Sequence, residues 1–399
     1  MKNNTALRTN MFIALLSLLP ATLLSQSTCF SEGLVMYDQD VASNFAIDYP
    51  ACTIIEGNVI LGAAVNFVGM EQIIEIQGVI KCGGDGECGG QLHENFIGLE
   101  NVISIGGINL EEHQFSFDGL ESLELISGNV RLEECAFPNF QSWASLTEIE
   151  GDFDCVECNF ENFFGLQNLS TVGGFFNVNE NAILTNGQFI SALTSVGGYF
   201  RIDECDVLDA FIAFWNLTEV GGDFTISDCP LVASLEGFGS LQSINGVLKL
   251  NDNSMLIDIT DIANINPDGI SFLELTDNPL LSECAVMSVC SHLLADGENT
   301  INLNSTDCNT AQEVIDQCLE ATGVETNSQV RFTILKNLVA DNLKVSNPEN
   351  LEFFITDRVG RVLLRSNSTG MIPIDNLSSG VYFIVLSTGE ASFKFVKQN

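Results

Sequence analysis

The residues best placed to bind a ligand in this sequence are its few cations and two aromatic side chains near them. The chain has 399 residues, with 53 Asp or Glu, 14 Lys or Arg and a formal net charge of −39. Arg131, Arg201 and Lys249 each lie three residues after a recurring glycine, so a strand would place them in one outward-facing column. Phe175 and Tyr199 each lie one residue after such a glycine. An exposed aromatic pair beside Arg201 predicts a binding hot spot for a protein or glycan ligand.

The same column supports a second interpretation, in which its charges only compensate one another. Lys81 shares the position of the other cations, and Glu133 and Asp203 lie close to two of them. The two interpretations predict different behaviour of a triple alanine variant. If the column binds a ligand, binding is lost without a lower melting temperature when alanine replaces Phe175, Tyr199 and Arg201.

Sequence motifs of catalysis are absent: the chain contains no G-x-S-x-G, P-loop or H-E-x-x-H pattern. We therefore expect neither enzymatic activity nor a cofactor. Outward carboxylates could bind calcium weakly, although no EF-hand or RTX loop occurs. The alternative function is a β-helix polysaccharide lyase or hydrolase that uses carboxylates on the strand face. The scarcity of basic residues excludes nucleic acid as a partner.

A repeat of about 24 residues organises most of the chain. The phrase Leu-x-x-Val/Ile-x-Gly recurs, and a short alternating strand follows each of its glycines, which are Gly57, Gly78, Gly107, Gly128, Gly151, Gly174, Gly198, Gly222 and Gly246. A small polar residue further along each repeat can bond the backbone from inside, as Asn and Cys do in leucine-rich repeats. We expect its cysteines to be free thiols; disulfides between neighbouring repeats are the alternative. This polar column contains Cys135, Cys158, Asn181, Cys205, Cys229, Asn253 and Asn278.

One repeat cannot bury its own apolar edge, so the repeats must stack into a solenoid of about ten rungs whose ends need caps. Cys29 and Cys52 flank the first repeat and are expected to pair, while Cys82 and Cys88 are expected to close an insert. Four further cysteines lie in two helix-like pieces at the other end. A continuous helix would hold two of them too far apart to bridge, so they should pair between the pieces. The pairing is then either Cys284–Cys308 with Cys290–Cys318, or the swapped arrangement.

Residues 29–320 resemble the receptor L domain and, more closely, its bacterial secreted relatives. The resemblance implies a mainly β fold, a single-stranded right-handed β-helix similar to leucine-rich repeats, with disulfide-capped ends. It also implies ligand or partner binding without catalysis. The segments that carry it are LSTVGGFFNV (169–178), LTSVGGYFRIDEC (193–205), LTEVGGDFTISDCPLV (217–232) and LQSINGVLKLNDN (241–253).

Charge and hydropathy divide the chain into three parts. Residues 1–25 contain Lys2, Arg8 and an apolar run too short to cross a membrane, which predicts a secretory signal peptide. Residues 26–320 form the repeat region, which holds all 13 cysteines. Residues 321–399 contain short alternating strands typical of a small β-sandwich. No later segment is apolar enough to span a bilayer, so we expect no transmembrane segment in the mature chain.

The C-terminal part resembles the type A sorting domain of type IX secretion, through DNLKV (341–345), ITDRVGRVL (355–363), IDNLSSGVYFIVL (374–386) and FKFVK (393–397). The resemblance implies Sec export to the periplasm of a Gram-negative bacterium, contact with the secretion machinery and passage to the cell surface. We therefore expect a secreted or surface-displayed binding or adhesion protein. The residues that match the sorting motif are Asp357, Gly360, Arg361, Gly380, Tyr382, Lys394 and Lys397.

Overall fold

The protein is mainly β, with few helices. The computed structural model describes residues 26–62, 64, 66–82, 94–320, 333–334, 338–339, 342–347, 350–357, 361–378, 380–386 and 392–397. The predicted signal peptide at 1–25, Cys88 and Gly360 lie outside these residues. The helices are Gln39–Ser43, Phe45–Asp48, Met287–Leu294 and Ala311–Glu320, and the 3-10 turns are Gln141–Trp143, Thr260–Asn264 and Pro267–Gly269.

A row of parallel strands follows the repeated glycines, and each strand pairs with the equivalent strand of the next repeat. Parallel neighbours need a long connection between them, which the remainder of each repeat supplies. We call this set the long row. Its strands are Leu34–Met36, Val59–Leu61, Glu75–Cys82, Ser104–Glu111, Val130–Glu133, Phe153–Val156, Phe176–Asn179, Phe200–Asp203, Phe224–Ser227, Gly246–Asn251, Ile270–Thr276 and Asn299–Asn302.

A second row of shorter strands precedes the glycines, and we call it the short row. Glu75–Cys82 and Ser104–Glu111 extend through both rows. A Cβ atom at Gly128, between the rows, would lie 2.2 Å from the carbonyl oxygen of Gly106, so a larger residue would clash there. The other strands of the short row are Thr28–Cys29, Ile54–Ile55, Leu125–Ile126, Glu148–Ile149, Thr171–Val172, Ser195–Val196, Glu219–Val220 and Ser243–Ile244.

The repeat glycine at Gly107 fits the short row but is displaced by one residue in the long row. Ile108 pairs with Val130, and these residues lie two positions after Gly106 and Gly128. In the long row Gly106 therefore takes the place that the sequence pattern assigns to Gly107, whereas in the short row Ile105 pairs with Ile126, two positions before Gly107 and Gly128. The pairing of Glu75–Cys82 with Ser104–Glu111 contains the corresponding register shift of one residue. Ile105 and Ile108 are three residues apart, whereas Ile126 and Val130 are four apart. This repeat therefore has one residue fewer between its two rows, which the spacing of the glycines alone did not locate.

Inward side chains of the long row form the apolar core, in which phenylalanine rings stack from repeat to repeat. Phe153, Phe176, Phe200 and Phe224 occupy one inward column and are fully buried. Their successive ring centroids are 4.9, 5.1 and 5.3 Å apart. This distance is close to the spacing of paired strands, so the core of one repeat is continuous with the core of the next.

The polar column bonds the backbone of neighbouring repeats from inside. Asn181 Oδ1 accepts the Cys158 N–H at 3.0 Å, and its Nδ2 donates to the carbonyls of Cys155 and Asn179 at 3.0 and 2.8 Å. The Cys158 thiol donates to the Leu132 carbonyl at 3.3 Å. The free cysteines among the described residues are all buried. They are Cys135, Cys158, Cys205 and Cys229 of this column, and Cys155 on the inward face of the strand Phe153–Val156.

Disulfide bonds tie down both ends of the repeat region. At the C-terminal end they connect the residues around Met287–Leu294 to those around Ala311–Glu320, in the unswapped arrangement. Cys82 is also disulfide-bonded, but its expected partner lies outside the described residues. The bonds with both cysteines described are Cys29–Cys52, Cys284–Cys308 and Cys290–Cys318.

The described part of the C-terminal region forms two sheets around one apolar cluster. Leu343 from the first sheet and Phe353 from the second are both buried in that cluster. The strand Gly370–Pro373 contains a Gly and a Pro and therefore does not show the alternating pattern by which the sequence indicates strands. The first sheet contains Thr333–Ile334, Asn342–Ser346 and Gly370–Pro373, and the second contains Leu338–Val339, Ser392–Lys397, Gly380–Leu386, Phe353–Thr356 and Val362–Ser366.

We predict that Asn181→Leu lowers the free energy of unfolding by about 2–4 kcal/mol, because it leaves the Cys158 N–H and two carbonyls buried without partners. Asn181→Cys should cost less than half as much, since Cys158 and Cys229 already donate to carbonyls from this column. Urea unfolding of the full chain, followed by circular dichroism, measures both variants. Equal losses would contradict the bonding role of this side chain.

Candidate binding surfaces

The strand register places the predicted cations in one outward column of the long row. Lys81 pairs with Asn109, which pairs with Arg131. Arg201 lies between Asn177 and Thr225 of the neighbouring repeats. We call this set the cation column, and its members in order are Lys81, Asn109, Arg131, Asp154, Asn177, Arg201, Thr225, Lys249 and Glu274.

Three cations of this column are held by carboxylates. Two of the pairs join residues two positions apart on one strand, and the third joins neighbouring repeats. Carboxylates of the protein therefore already neutralise these three cations, and an acidic ligand would have to compete with them. The pairs are Arg131–Glu133, Arg201–Asp203 and Lys249–Glu274, the last with 3.2 Å between Nζ and Oε1.

Arg201 forms an ion pair with Asp203, which the sequence only placed nearby. The Asp203 side chain is 6% exposed and also accepts a hydrogen bond from the Ser227 hydroxyl. Removing Arg201 would leave this carboxylate buried without its counter-charge. The expectation that alanine at Arg201 spares the melting temperature is therefore revised.

Phe175 and Tyr199 form a stacked pair on the same outward face. Their ring centroids are 4.6 Å apart and the ring planes differ by 7°. Both residues are partly buried rather than fully exposed, because each ring covers one face of the other. Burial and then the charge of Asp154 raise the pKa of Tyr199, while Arg201 opposes the shift. Each of the two side chains keeps part of its surface exposed to solvent.

Asp154 and Asn177 fill the cation column between Arg131 and Arg201. Asn177 Nδ2 donates to Asp154 Oδ1 at 2.8 Å. Burial raises the pKa of Asp154, although the bond from Asn177 and the charge of Arg131 act in the opposite direction. Asn177 is 8% exposed, and its Oδ1 has no hydrogen-bond partner within the described residues. This segment of the column therefore has more acceptors than donors.

A column of acidic residues, missed by the sequence analysis, lies at the end of the long-row strands. Each acid immediately precedes a polar-column residue and adopts a positive φ, between 47° and 57°. The dipeptides Glu-Cys, Glu-Asn, Asp-Cys and Asp-Asn recur at these positions and were a readable signal. The acids of this column are Glu134, Glu157, Glu180, Glu204, Asp228, Asp252 and Asp277.

Part of this column lines a cavity of about 410 Å³, which we call the acidic groove. Burial and then neighbouring carboxylates raise the pKa values of Glu204 and Asp228. Across the described ranges, no group of three or more His, Cys, Asp or Glu side chains is placed to hold a metal ion. The groove is lined by Glu180, Ala182, Glu204, Asp206, Asp228, Pro230 and Asp252.

The residues of the predicted sorting motif lie in the second C-terminal sheet and its turns. Arg361 Nε is 3.0 Å from Asp357 Oδ2. The Tyr382 hydroxyl donates to the Ser378 carbonyl at 2.6 Å, just before the strand that Gly380 begins. Lys397 is buried at the end of the last strand. Gly360 and the side chain of Lys394 lie outside the described residues.

The end of the chain matches a known family of export signals. The family described as the secretion system C-terminal sorting domain matches residues 337–398. This type IX sorting tail indicates a secreted or outer-surface protein that interacts with the secretion machinery. No curated protein matches the chain. Within the part of the chain that the structure describes, no helix is long and apolar enough to cross a membrane.

We predict that Arg201→Ala lowers the free energy of unfolding by about 1–3 kcal/mol, because Asp203 then stays buried and charged without its partner. Arg201→Ala combined with Asp203→Asn should recover part of this loss. The matched control is Arg131→Ala, which should cost less than about 1 kcal/mol because its partner Glu133 is more exposed. Identical urea midpoints for Arg201→Ala and Arg131→Ala would contradict the argument.

Proposed function

We propose that this chain is a secreted or cell-surface binding or adhesion protein. In this proposal, residues 29–320 are a right-handed β-helix of the receptor L type, of about ten rungs, which resembles leucine-rich repeats. Its outward face binds an extracellular protein or glycan. The two rows of parallel strands, the buried polar column and the disulfides at both ends support this fold.

The observation that carries the binding function is the stacked pair of Phe175 and Tyr199 on a face with paired cations. Partly exposed aromatic side chains are enriched at the centres of interfaces, where they bury large areas at little entropic cost. Because Arg131, Arg201 and Lys249 already have carboxylate partners, the face has little net attraction for an acidic ligand. A neutral glycan or a protein surface with few acids suits it better.

The export route in this proposal begins with a signal peptide at residues 1–25. The chain enters the periplasm of a Gram-negative bacterium through Sec and crosses the outer membrane by the type IX machinery. Its disulfides suit such an oxidising route. The five free thiols among the described residues suit it as well, because burial keeps them from solvent oxidants.

We propose binding rather than catalysis, with a polysaccharide lyase or hydrolase as the alternative. The residue that best favours the alternative is Asp154, a half-buried carboxylate with a raised pKa on the outward face. Incubation of the purified chain with polysaccharides, followed by a reducing-end assay, separates the two functions. Products that disappear in Asp154→Asn would replace the binding proposal with the enzyme. Glycan binding without products supports the proposal.

We predict that Phe175→Ala combined with Tyr199→Ala weakens ligand binding by about tenfold or more, because an interfacial aromatic anchor is lost. Arg201 is retained in this variant, so the Arg201–Asp203 pair is undisturbed. Glycan and protein arrays probed with the full chain identify the ligand, and surface plasmon resonance then measures affinity. Trp215→Ala, which removes an aromatic side chain that is 55% exposed elsewhere, is the control. Unchanged affinity in the double variant would exclude this face.

A further inference from the structure

Five successive repeats expose an aliphatic side chain at the same position of the same turn. In each of them, a turn begins at the polar-column residue. The carbonyl of that residue accepts a hydrogen bond from the backbone N–H three residues later, so that Leu184 donates to Asn181 and Leu281 donates to Asn278. The residue that immediately precedes the donor residue of this bond is between 37% and 49% exposed. We call this set the aliphatic ridge, and it consists of Ile183, Val207, Leu231, Met255 and Leu280.

The ridge is not required by the core. The residue that follows each ridge side chain, such as Leu208 or Val232, is the one that is fully buried. In two earlier repeats this turn bond is not formed among the described residues, and the second residue after the polar column is a buried Phe137 or Phe160, so the exposure begins at Ile183. A single exposed aliphatic side chain is ordinary, but a contiguous row is typical of an interaction surface. At the spacing of paired strands, five residues span about 19 Å.

The acidic groove lies beside the ridge on the same turns. Glu204 and Asp228 of the groove precede the ridge residues Val207 and Leu231 by three positions. The groove is lined by five carboxylates, and neither Lys nor Arg is among its described lining residues. The mutual repulsion that contributes to the raised pKa values of Glu204 and Asp228 would be relieved by a cation placed between them.

We propose that the ridge and the acidic groove together bind a cationic amphipathic helix of an extracellular partner protein. The apolar stripe of such a helix would cover the ridge, while its Lys and Arg side chains would reach the groove. One turn of helix rises about 5.4 Å, close to the strand spacing of about 4.8 Å, so successive turns can meet successive repeats. A second copy of this chain would instead bring two acidic grooves together, which repel. This surface shares no residue with the Phe175–Tyr199 pair.

The test uses the full chain and a fluorescent helix of about 18 residues made of Leu and Lys, with anisotropy as the readout. We expect binding to this probe and none to a matched helix in which Glu replaces Lys. Val207→Ser with Leu231→Ser removes two ridge contacts, and Glu204→Gln with Asp228→Asn removes two groove charges. Each variant should weaken binding by about tenfold or more.

The matched control is Glu148→Gln with Glu219→Gln, which makes the same charge change on the exposed side chains of the short row. It should alter affinity by less than about twofold. Equal weakening in this control and in the groove variant would overturn the proposal in favour of general charge attraction. Parent-like affinity of a ridge variant with an unchanged melting temperature would also overturn it. A third result would also overturn it: the parent chain self-associates in a sedimentation experiment and the ridge variant does not. The ridge would then bind a second copy of this chain.

Discussion

The structure depends on how each repeat satisfies the backbone groups that its turn leaves inside. One buried side chain per repeat forms hydrogen bonds to these backbone groups, and an Asn forms more of them than a Cys. Asn278 both accepts the Asn253 N–H and donates to two carbonyls, whereas the Cys229 thiol donates to the Ser227 carbonyl. Unpaired backbone groups in this position would cost about 1–3 kcal/mol each. The repeat can therefore vary in length and surface, while this column keeps a small side chain that can bond the backbone.

The same constraint shapes the surface. The residue before each polar-column side chain adopts a positive φ, which most side chains other than glycine avoid. The sequence places an acid there in one repeat after another, so carboxylates accumulate along one line of the molecule. Glu204 and Asp228 are repelled by neighbours that the turn geometry brings close. The bonding of the interior thus places these positions in one line, and the sequence makes them acidic.

Charge is distributed differently on the outward face of the long row. The few cations of the repeat region stand in one column there, and three of them are held by nearby carboxylates. This face and the turn that carries the groove belong to the same repeats, yet they differ in charge and in apolar character. One scaffold thereby presents two chemically distinct surfaces, while the C-terminal domain that directs export has its own apolar cluster.

The sequence by itself determined the properties that repeat. Its glycine spacing predicted stacked repeats with one alternating strand after each glycine, and in the structure Phe176 and Phe200 lie on the buried face of such strands. Its Cys and Asn column predicted the inward hydrogen bonds. It also predicted the cation column and a sorting domain at the C-terminal end.

Only the tertiary structure decided the features that depend on contacts between repeats. These include the one-residue shift at Gly106, the choice between two cysteine pairings and the burial of Asp203 beside Arg201. The exposure of Leu231 and the burial of its neighbour Val232 were also decided only by the tertiary structure. The physical reason is that periodicity reports which way a side chain points within its own strand. Its partners and its exposure are set by residues about 24 positions away, which local spacing does not specify.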